Sequence, residues 1–222
     1  AVVNAISDVV IGERGKKLYI RTFAYSEEEY KSTVGCIKHI KSDKVILMMK
    51  ETPHDFFLTH PDNPYIRKMN RPTIVEFDSG NEYSGQGVVA NTWPEYTMKR
   101  WGSYINCPNV TGYVARTDRY GDTSIVGTAN EIQLYALKRM TEEQTVSPMQ
   151  IYNEFITSRY GEDALLPIRK AFQNAYDIVT SVFYTLGTNL TDHSSLNYEN
   201  NKWGYSRHVS GSCLLYTSPS PR

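Results

Sequence analysis

Long apolar runs are missing from this sequence. The longest is Val45-Ile46-Leu47-Met48-Met49, far short of the ~20 residues that a membrane-spanning helix needs. Net charge is missing as well, since 24 Lys and Arg balance 24 Asp and Glu. A chain with no basic block lacks the electrostatic footprint of a nucleic-acid binder. Neither nucleic acid nor membrane is expected as a partner. Cysteine is scarce, with three residues. Cys36 and Cys107 define no disulfide framework. Cys36 and His39 have C-x-x-H spacing, but no second ligand pair follows, as a structural zinc requires. No metal or other cofactor is expected. The sequence has no G-x-G-x-x-G, no P-loop and no G-x-S-x-G. No targeting pattern is found, and no compartment is assigned.

What is present is ordinary for a globular chain: 222 residues, 22% charged and 40% hydrophobic, with a mean hydropathy of −0.47. The unusual number is 17 Tyr. A tyrosine ring with its polar tip suits sugar-binding clefts, and equally an ordinary half-buried surface. Asn109-Val110-Thr111 and Asn189-Leu190-Thr191 have the glycosylation spacing. Residues 213–222, Cys213-Leu214-Leu215-Tyr216-Thr217-Ser218-Pro219-Ser220-Pro221-Arg222, resemble the conceptual translation of a sequencing-library adapter and are set aside. With that tail removed, and with Ala1 at the start, a fragment open at both ends is expected.

The periodicities place a strand at residues 17–25. Ser26 and Glu29 form a capping-box pattern, opening a helix to about residue 42. The apolar run 45–49 reads as a strand buried on both faces. A loop rich in Pro, His and Asp spans 52–71, a third strand spans 73–77, and a Gly-rich loop spans 79–87. A helix at 94–105 and a fourth strand at 111–115 follow. This rhythm predicts a parallel sheet. After Thr123 helices replace strands. Thr128 and Glu131 give a second capping box, with a helix to about Met140. Ser147, Pro148 and Gln150 open the next helix. Its core stripe is Ile151, Tyr152, Phe155 and Ile156, and Gly161 ends it. A last helix is predicted over 165–186, with Ile168, Phe172, Ala175, Val179, Val182 and Leu186 on one face and Gly187 as its stop. A complete (β/α)8 barrel takes roughly 250 residues, so the α/β pattern predicts the C-terminal half of a TIM barrel (1–125) followed by part of an α-helical domain (126–212). Exposed apolar helix faces in that region would permit a homodimer.

In such barrels, active residues stand at or just beyond the C-terminal ends of strands. That rule selects Arg21 and Tyr25, then Lys50, His54 and Asp55. It also selects Asp78, Asn81, Glu82 and Tyr83, then Arg116, Asp118 and Arg119. Asp55 and Glu82 follow neighbouring strands, an arrangement in which two carboxylates can serve one cleft, as glycosidic-bond hydrolysis requires. Trp93, beside Pro94, reads as a helix-start packing residue or a second-tier cleft residue.

Five segments resemble glycoside hydrolase family 67, the α-glucuronidases. Lys50-Glu51-Thr52-Pro53-His54-Asp55-Phe56 is similar to that family's Lys-Asn-Gly-Pro-x-Asp-Phe. Glu76-Phe77-Asp78-Ser79-Gly80-Asn81-Glu82-Tyr83-Ser84-Gly85-Gln86 is similar to Glu-Phe-Gln-Ile-Thr-Gln-Glu-Tyr-x-Gly-Gln. Upstream, Ile20-Arg21-Thr22-Phe23-Ala24-Tyr25 resembles Trp-Arg-x-Phe-Val-Tyr. Downstream, the helix around Leu134-Tyr135-Ala136 and the run from Ser147 resemble the family's helical segments. The matches are colinear and cover about residues 19–160.

The resemblance implies an inverting glycosidase that removes α-linked glucuronic acid, often 4-O-methylated, from xylo-oligosaccharides, with no cofactor. It implies that Asp55 and Glu82 are the base carboxylates and that Arg21 and Lys50 recognise the uronate, with Asn81 and Tyr83 as further substrate-binding candidates. It also implies that the general acid comes from an earlier strand. No residue before Val10 matches it, so this stretch alone is expected to be inactive. The chain departs from the family at Phe57-Leu58, where the family has Gln and a nearby Arg. It departs again at residues 124–128, where the family has a Trp and paired His. Two alternatives follow: an exo-hydrolase of another acidic polysaccharide, and a non-catalytic carbohydrate-binding relative.

Overall fold

Four short strands run parallel, in sequential order, through the first part of the computed structural model: β1 (Tyr19–Arg21), β2 (Ile46–Lys50), β3 (Thr73–Phe77) and β4 (Val110–Ala115). The structure describes residues 1–24, 26–87, 89–118 and 124–185, together with the backbone pairs 188–189, 191–192 and 195–196. Two units are distinguished. One comprises Ala1–Phe56, His60–Phe77 and Arg100–Ala115. The other comprises Phe57–Thr59, Asp78–Lys99 and the described part of Arg116–Arg222. The division interleaves along the chain, whereas the sequence pattern suggested one boundary after residue 125.

The first unit is a mixed α/β structure built on the parallel sheet. Register places Leu47 beside Thr73 and Lys50 beside Glu76, so β2 ends one residue before β3 does. Leu47, Met49 and Val75 are fully buried, while Ile46 and Met48 are only half-buried. The expectation of β2 buried on both faces is therefore corrected: alternate side chains point to opposite faces, and only one face is sealed. Phe77, Trp101 and Tyr113 meet edge to face, with ring centres 5.4–6.3 Å apart. Helix α1 (Val2–Ser7) continues into a π-helical turn, Asp8–Glu13, which the sequence pattern did not suggest. Helix α2 (Glu27–Ile37) starts at Ser26, whose Oγ accepts the Glu29 N–H at 3.2 Å. It ends earlier than periodicity suggests because His39 and Ile40 switch to three-residue turn bonds, to Cys36 O and Ile37 O. Strand β1 is likewise shorter than expected, and Tyr25 lies outside the described residues.

Helix α3 (Pro94–Gly102) is followed by the helical part of the second unit: α4 (Ile132–Glu142), α5 (Pro148–Tyr160), α6 (Leu165–Gln173) and α7 (Ala175–Phe183). Its core joins Met98, Ile132, Ala136 and Val146 to the predicted stripe Ile151, Tyr152, Phe155 and Ile156. The Ser147 box forms in full. Ser147 Oγ accepts the Gln150 N–H at 3.2 Å, and Gln150 Oε1 accepts the Ser147 N–H at 2.8 Å. The Thr128 box does not form. Thr128 Oγ1 instead accepts the Asn130 N–H, opening a 3₁₀ turn, and Glu131 takes the Gly127 N–H and Arg159.

The single helix expected over 165–186 is two helices. Asn174 tightens to a bond with Ala171 O and interrupts the ladder. Ala175 and Val179 are buried as predicted, but Val182 is 57% exposed. Leu186 and Gly187 lie outside the described residues. Strands do return after Thr123, as two-residue antiparallel pairs: β5 (Tyr184–Thr185) with β6 (Thr188–Asn189), and β7 (Thr191–Asp192) with β8 (Ser195–Leu196).

One asparagine fastens the chain beyond β2. The two hydrogens of Asn63 Nδ2 are shared among Lys50 O at 2.9 Å, Thr52 O at 3.3 Å and Tyr30 Oη at 3.0 Å. Its main-chain N–H is shared between Glu51 O and Tyr104 Oη. Arg100 adds an ion pair to Asp62 at 3.0 Å and a bond to His60 O. Asn63→Ala removes the donors of buried carbonyls, so it should cost about 2–3 kcal/mol in urea unfolding. Ser147→Ala, which removes only a cap, should cost about 1 kcal/mol. Equal midpoints for Asn63→Ala and wild type would contradict this account of the loop.

Candidate active site

The charged residues singled out by sequence fall into two groups, one in each unit. The first group stands at the ends of β1 and β2. A cation at the end of a buried strand must be paired, because losing water costs several kcal/mol. Lys50 is such a residue, and its Nζ donates to Asp55 Oδ1 at 2.6 Å. Its ammonium also lies 4.1 Å from the centre of the Phe23 ring and 4.6 Å from that of Phe56. Burial lowers the Lys50 pKa, opposed by the Asp55 charge.

Arg21, the last residue of β1, grips Glu76 with Nε at 2.8 and 3.0 Å and with Nη2 at 2.8 Å. The Arg21 side chain stays 37% exposed. Its Nη1 has no hydrogen-bond partner among the described residues. Arg21 and the Lys50–Asp55 pair are thus neighbours, with the Phe23 ring against both cations. Glu76 was missed as a partner. Its signal was available: a carboxylate inside the apolar strand Thr73–Phe77, in register with Lys50.

His54 and His60 lie edge to face, 6.1 Å apart, and His60 Nδ1 is 3.1 Å from Asp55 O. Burial lowers both imidazoles, His60 from 6.5 to about 4.

The second group follows β3. Arg116 Nε and Nη2 donate to Asp78 Oδ1 at 3.0 and 2.7 Å, and the same Nη2 donates to Glu82 Oε2. Asp78 Oδ2 accepts the Glu82 main-chain N–H at 2.6 Å. Burial raises the Asp78 carboxyl, against the pull of Arg116 and of that N–H. For Arg116, burial acts downward, and the two carboxylates outweigh it and raise the guanidinium. Gly80 is required between them, because a Cβ there would lie 2.8 Å from Asp118 O.

Asn81 adopts φ +60° and acts as a staple of this turn. Its Nδ2 donates to Ser79 O at 2.8 Å, and its Oδ1 accepts from Gln133 Nε2 at 3.1 Å. Tyr83 is buried, with its ring 4.1 Å from Phe57, and its carbonyl accepts from Tyr184 Oη. Both residues are thus used in packing and turn bonds. Trp93 packs edge-on to Tyr176 at 5.5 Å. Arg119, His193 and His208 lie outside the described residues. Asp78 and Arg116 stood on the positional list with no role assigned, and the structure shows the role of each as partner of Glu82.

Among the described residues, no group of three or more His, Cys, Asp or Glu side chains could hold a metal ion. No described helix is long and apolar enough to cross a membrane.

The half-buried His60 sets a pH dependence. Its folded pKa lies below its unfolded value, so the unfolded chain takes up the proton first as pH falls. The contribution is complete above about pH 6.5 and is lost as pH falls through about 4. It amounts to roughly 3 kcal/mol at most. The unfolding free energy of His60→Gln should therefore fall less steeply than that of wild type between pH 6.5 and 4. Parallel curves would refute the burial argument.

No protein-family model matches the chain, and no curated protein matches it at a significant level.

Proposed function

We propose that this chain is the C-terminal half of the catalytic (β/α)8 barrel of a glycoside hydrolase, followed by a helical region. On this reading the whole enzyme removes α-linked glucuronic acid, often 4-O-methylated, from xylo-oligosaccharides with inversion. One observation carries the reading: Arg21, Lys50 and Asp55 meet at the ends of β1 and β2. A uronate needs fixed cations beside the carboxylate that serves the reacting water. Glu76 holds one edge of the Arg21 guanidinium and leaves Nη1 to an incoming carboxylate. Lys50 offers a buried charge that a second anion would further stabilise.

In this proposal a water on the face opposite the leaving oxygen attacks the anomeric carbon. Its proton passes to Asp55 or Glu82, and the leaving oxygen takes a proton from a general acid on an earlier strand. The substrate is an oligosaccharide bearing uronic acid.

A second reading, the non-catalytic carbohydrate-binding relative, draws on one observation: both cations are already paired with carboxylates of their own unit.

The test is to express the full reading frame that contains this sequence and to follow glucuronosyl-xylotriose by proton NMR. Free glucuronic acid should appear first as the β anomer. Asp55→Asn and Glu82→Gln should each lower kcat by about 10²–10⁴-fold. Binding without release supports the second reading. Normal turnover in both amide variants would overturn the assignment of the bases.

A further inference from the structure

We infer that Asp78 and Arg116 form a clamp that positions Glu82, with Asp78 acting as a positioning residue on both its main chain and, through Arg116, its side chain. This inference rests on the proposed hydrolase for the role of Glu82. Its geometry stands independently of that role.

Three contacts build the clamp. Asp78 Oδ2 takes the Glu82 N–H at 2.6 Å, which fixes where the backbone of Glu82 sits. Asp78 Oδ1 takes both Nε and Nη2 of Arg116, which fixes the plane of the guanidinium. The same Nη2 then reaches Glu82 Oε2, which fixes the carboxylate. The Asp78 side chain is 3% exposed and that of Arg116 is 26% exposed, so the anchoring acid is sealed while the bridging cation reaches solvent. Gly80 lets the turn close against Asp118, and Asn81 holds it with its side-chain amide. In the resembled segment a Gln takes the place of Asp78, so this second carboxylate is a feature of this chain.

The charge balance gives the clamp a chemical consequence. One guanidinium bridges two carboxylates, and the charge of Glu82 acts on Asp78. Asp78 and Arg116 face Glu82, and Arg116 and Glu82 face Asp78. The two acids therefore titrate as a pair. Burial raises the proton affinity of Asp78, and Arg116 opposes it. Removing the Asp78 charge takes a neighbouring negative charge away from Glu82 and makes it harder to protonate. Removing the Arg116 charge takes one cation away from two neighbouring carboxylates and makes one of them easier to protonate.

The test uses the full-length product, with two readouts. One is the acid limb of kcat/KM against pH on glucuronosyl-xylotriose. The other is an isotope-edited infrared titration of ¹³C-glutamate carboxylates, with Glu82→Gln subtracted to identify Glu82. Asp78→Asn should move both midpoints down by about one pH unit, and Arg116→Gln should move both up by about one unit or more. Arg116→Lys keeps the charge but loses the two-pronged grip, so it should lower kcat while holding the wild-type limb. It also serves as the reporter if Arg116→Gln does not fold. Unmoved midpoints in Asp78→Asn or Arg116→Gln, or a Lys variant that shifts as far as the Gln variant, overturn the clamp. If the wild-type protein releases no glucuronic acid, the hydrolase reading fails, and the infrared midpoints still decide the clamp.

Discussion

A strand that ends in a buried ammonium must find a carboxylate within a few residues or within the next strand, and β2 ends in Lys50. Taking that charge out of water costs several kcal/mol unless it is met. Asp55 meets it at 2.6 Å, and two phenylalanine rings border it. Much of the first unit follows from that pairing. The chain between Lys50 and Asp55 must turn tightly, and Asn63 collects the buried carbonyls of Lys50 and Thr52. Tyr30, Tyr104 and Arg100 then fix Asn63 and its neighbours. A polar network of this kind is stable only when each member is satisfied, so the segment carrying Asp55 is held at several points.

The same rule shapes the other cations. Arg21 is taken by Glu76, and Arg116 by Asp78 and Glu82. The two guanidinium sites differ in balance. Arg21 faces one carboxylate and keeps a donor edge in reserve. Arg116 bridges two carboxylates. The first arrangement suits recognition of an added anion. The second suits control of the proton on an acid. These are different uses of one physical device, the planar fork of arginine, whose two edges can serve two acceptors at once.

Local chemistry accounts for the elements that the residue pattern predicted well. The third strand, expected at residues 73–77, forms there, because Thr73, Ile74, Val75 and Phe77 favour β structure and lie between a Pro and a turn. Helix α5 and its buried stripe follow from Ser147, Pro148 and Gln150, whose capping bonds lie within four residues of one another. The structure departs from the residue pattern where a local signal has competitors. Glu131 could cap its own helix or bind Gly127 and Arg159, and it does the latter. The apolar stripe over 165–186 is continuous in sequence, yet Asn174 divides the helix, and Val182 finds no cover among the described residues.

Sequence alone determined the parallel βα order, the strand positions in β2 and β3, the core of α5 and the short list of chemically able residues. Each of these depends on periodicity or on bonds spanning a few residues. Only the tertiary structure decided who pairs with whom. Arg21 and Glu76 are 55 residues apart, and Arg116 lies 38 from Asp78. A carboxylate in the sequence has no marked partner, since Coulomb attraction acts through space and several cations were within reach on paper. Strand register and the turn at Gly80 bring one cation to each acid, and those contacts separate Asn81 and Tyr83, used in packing and turn bonds, from Asp55 and Glu82, each held by a cation.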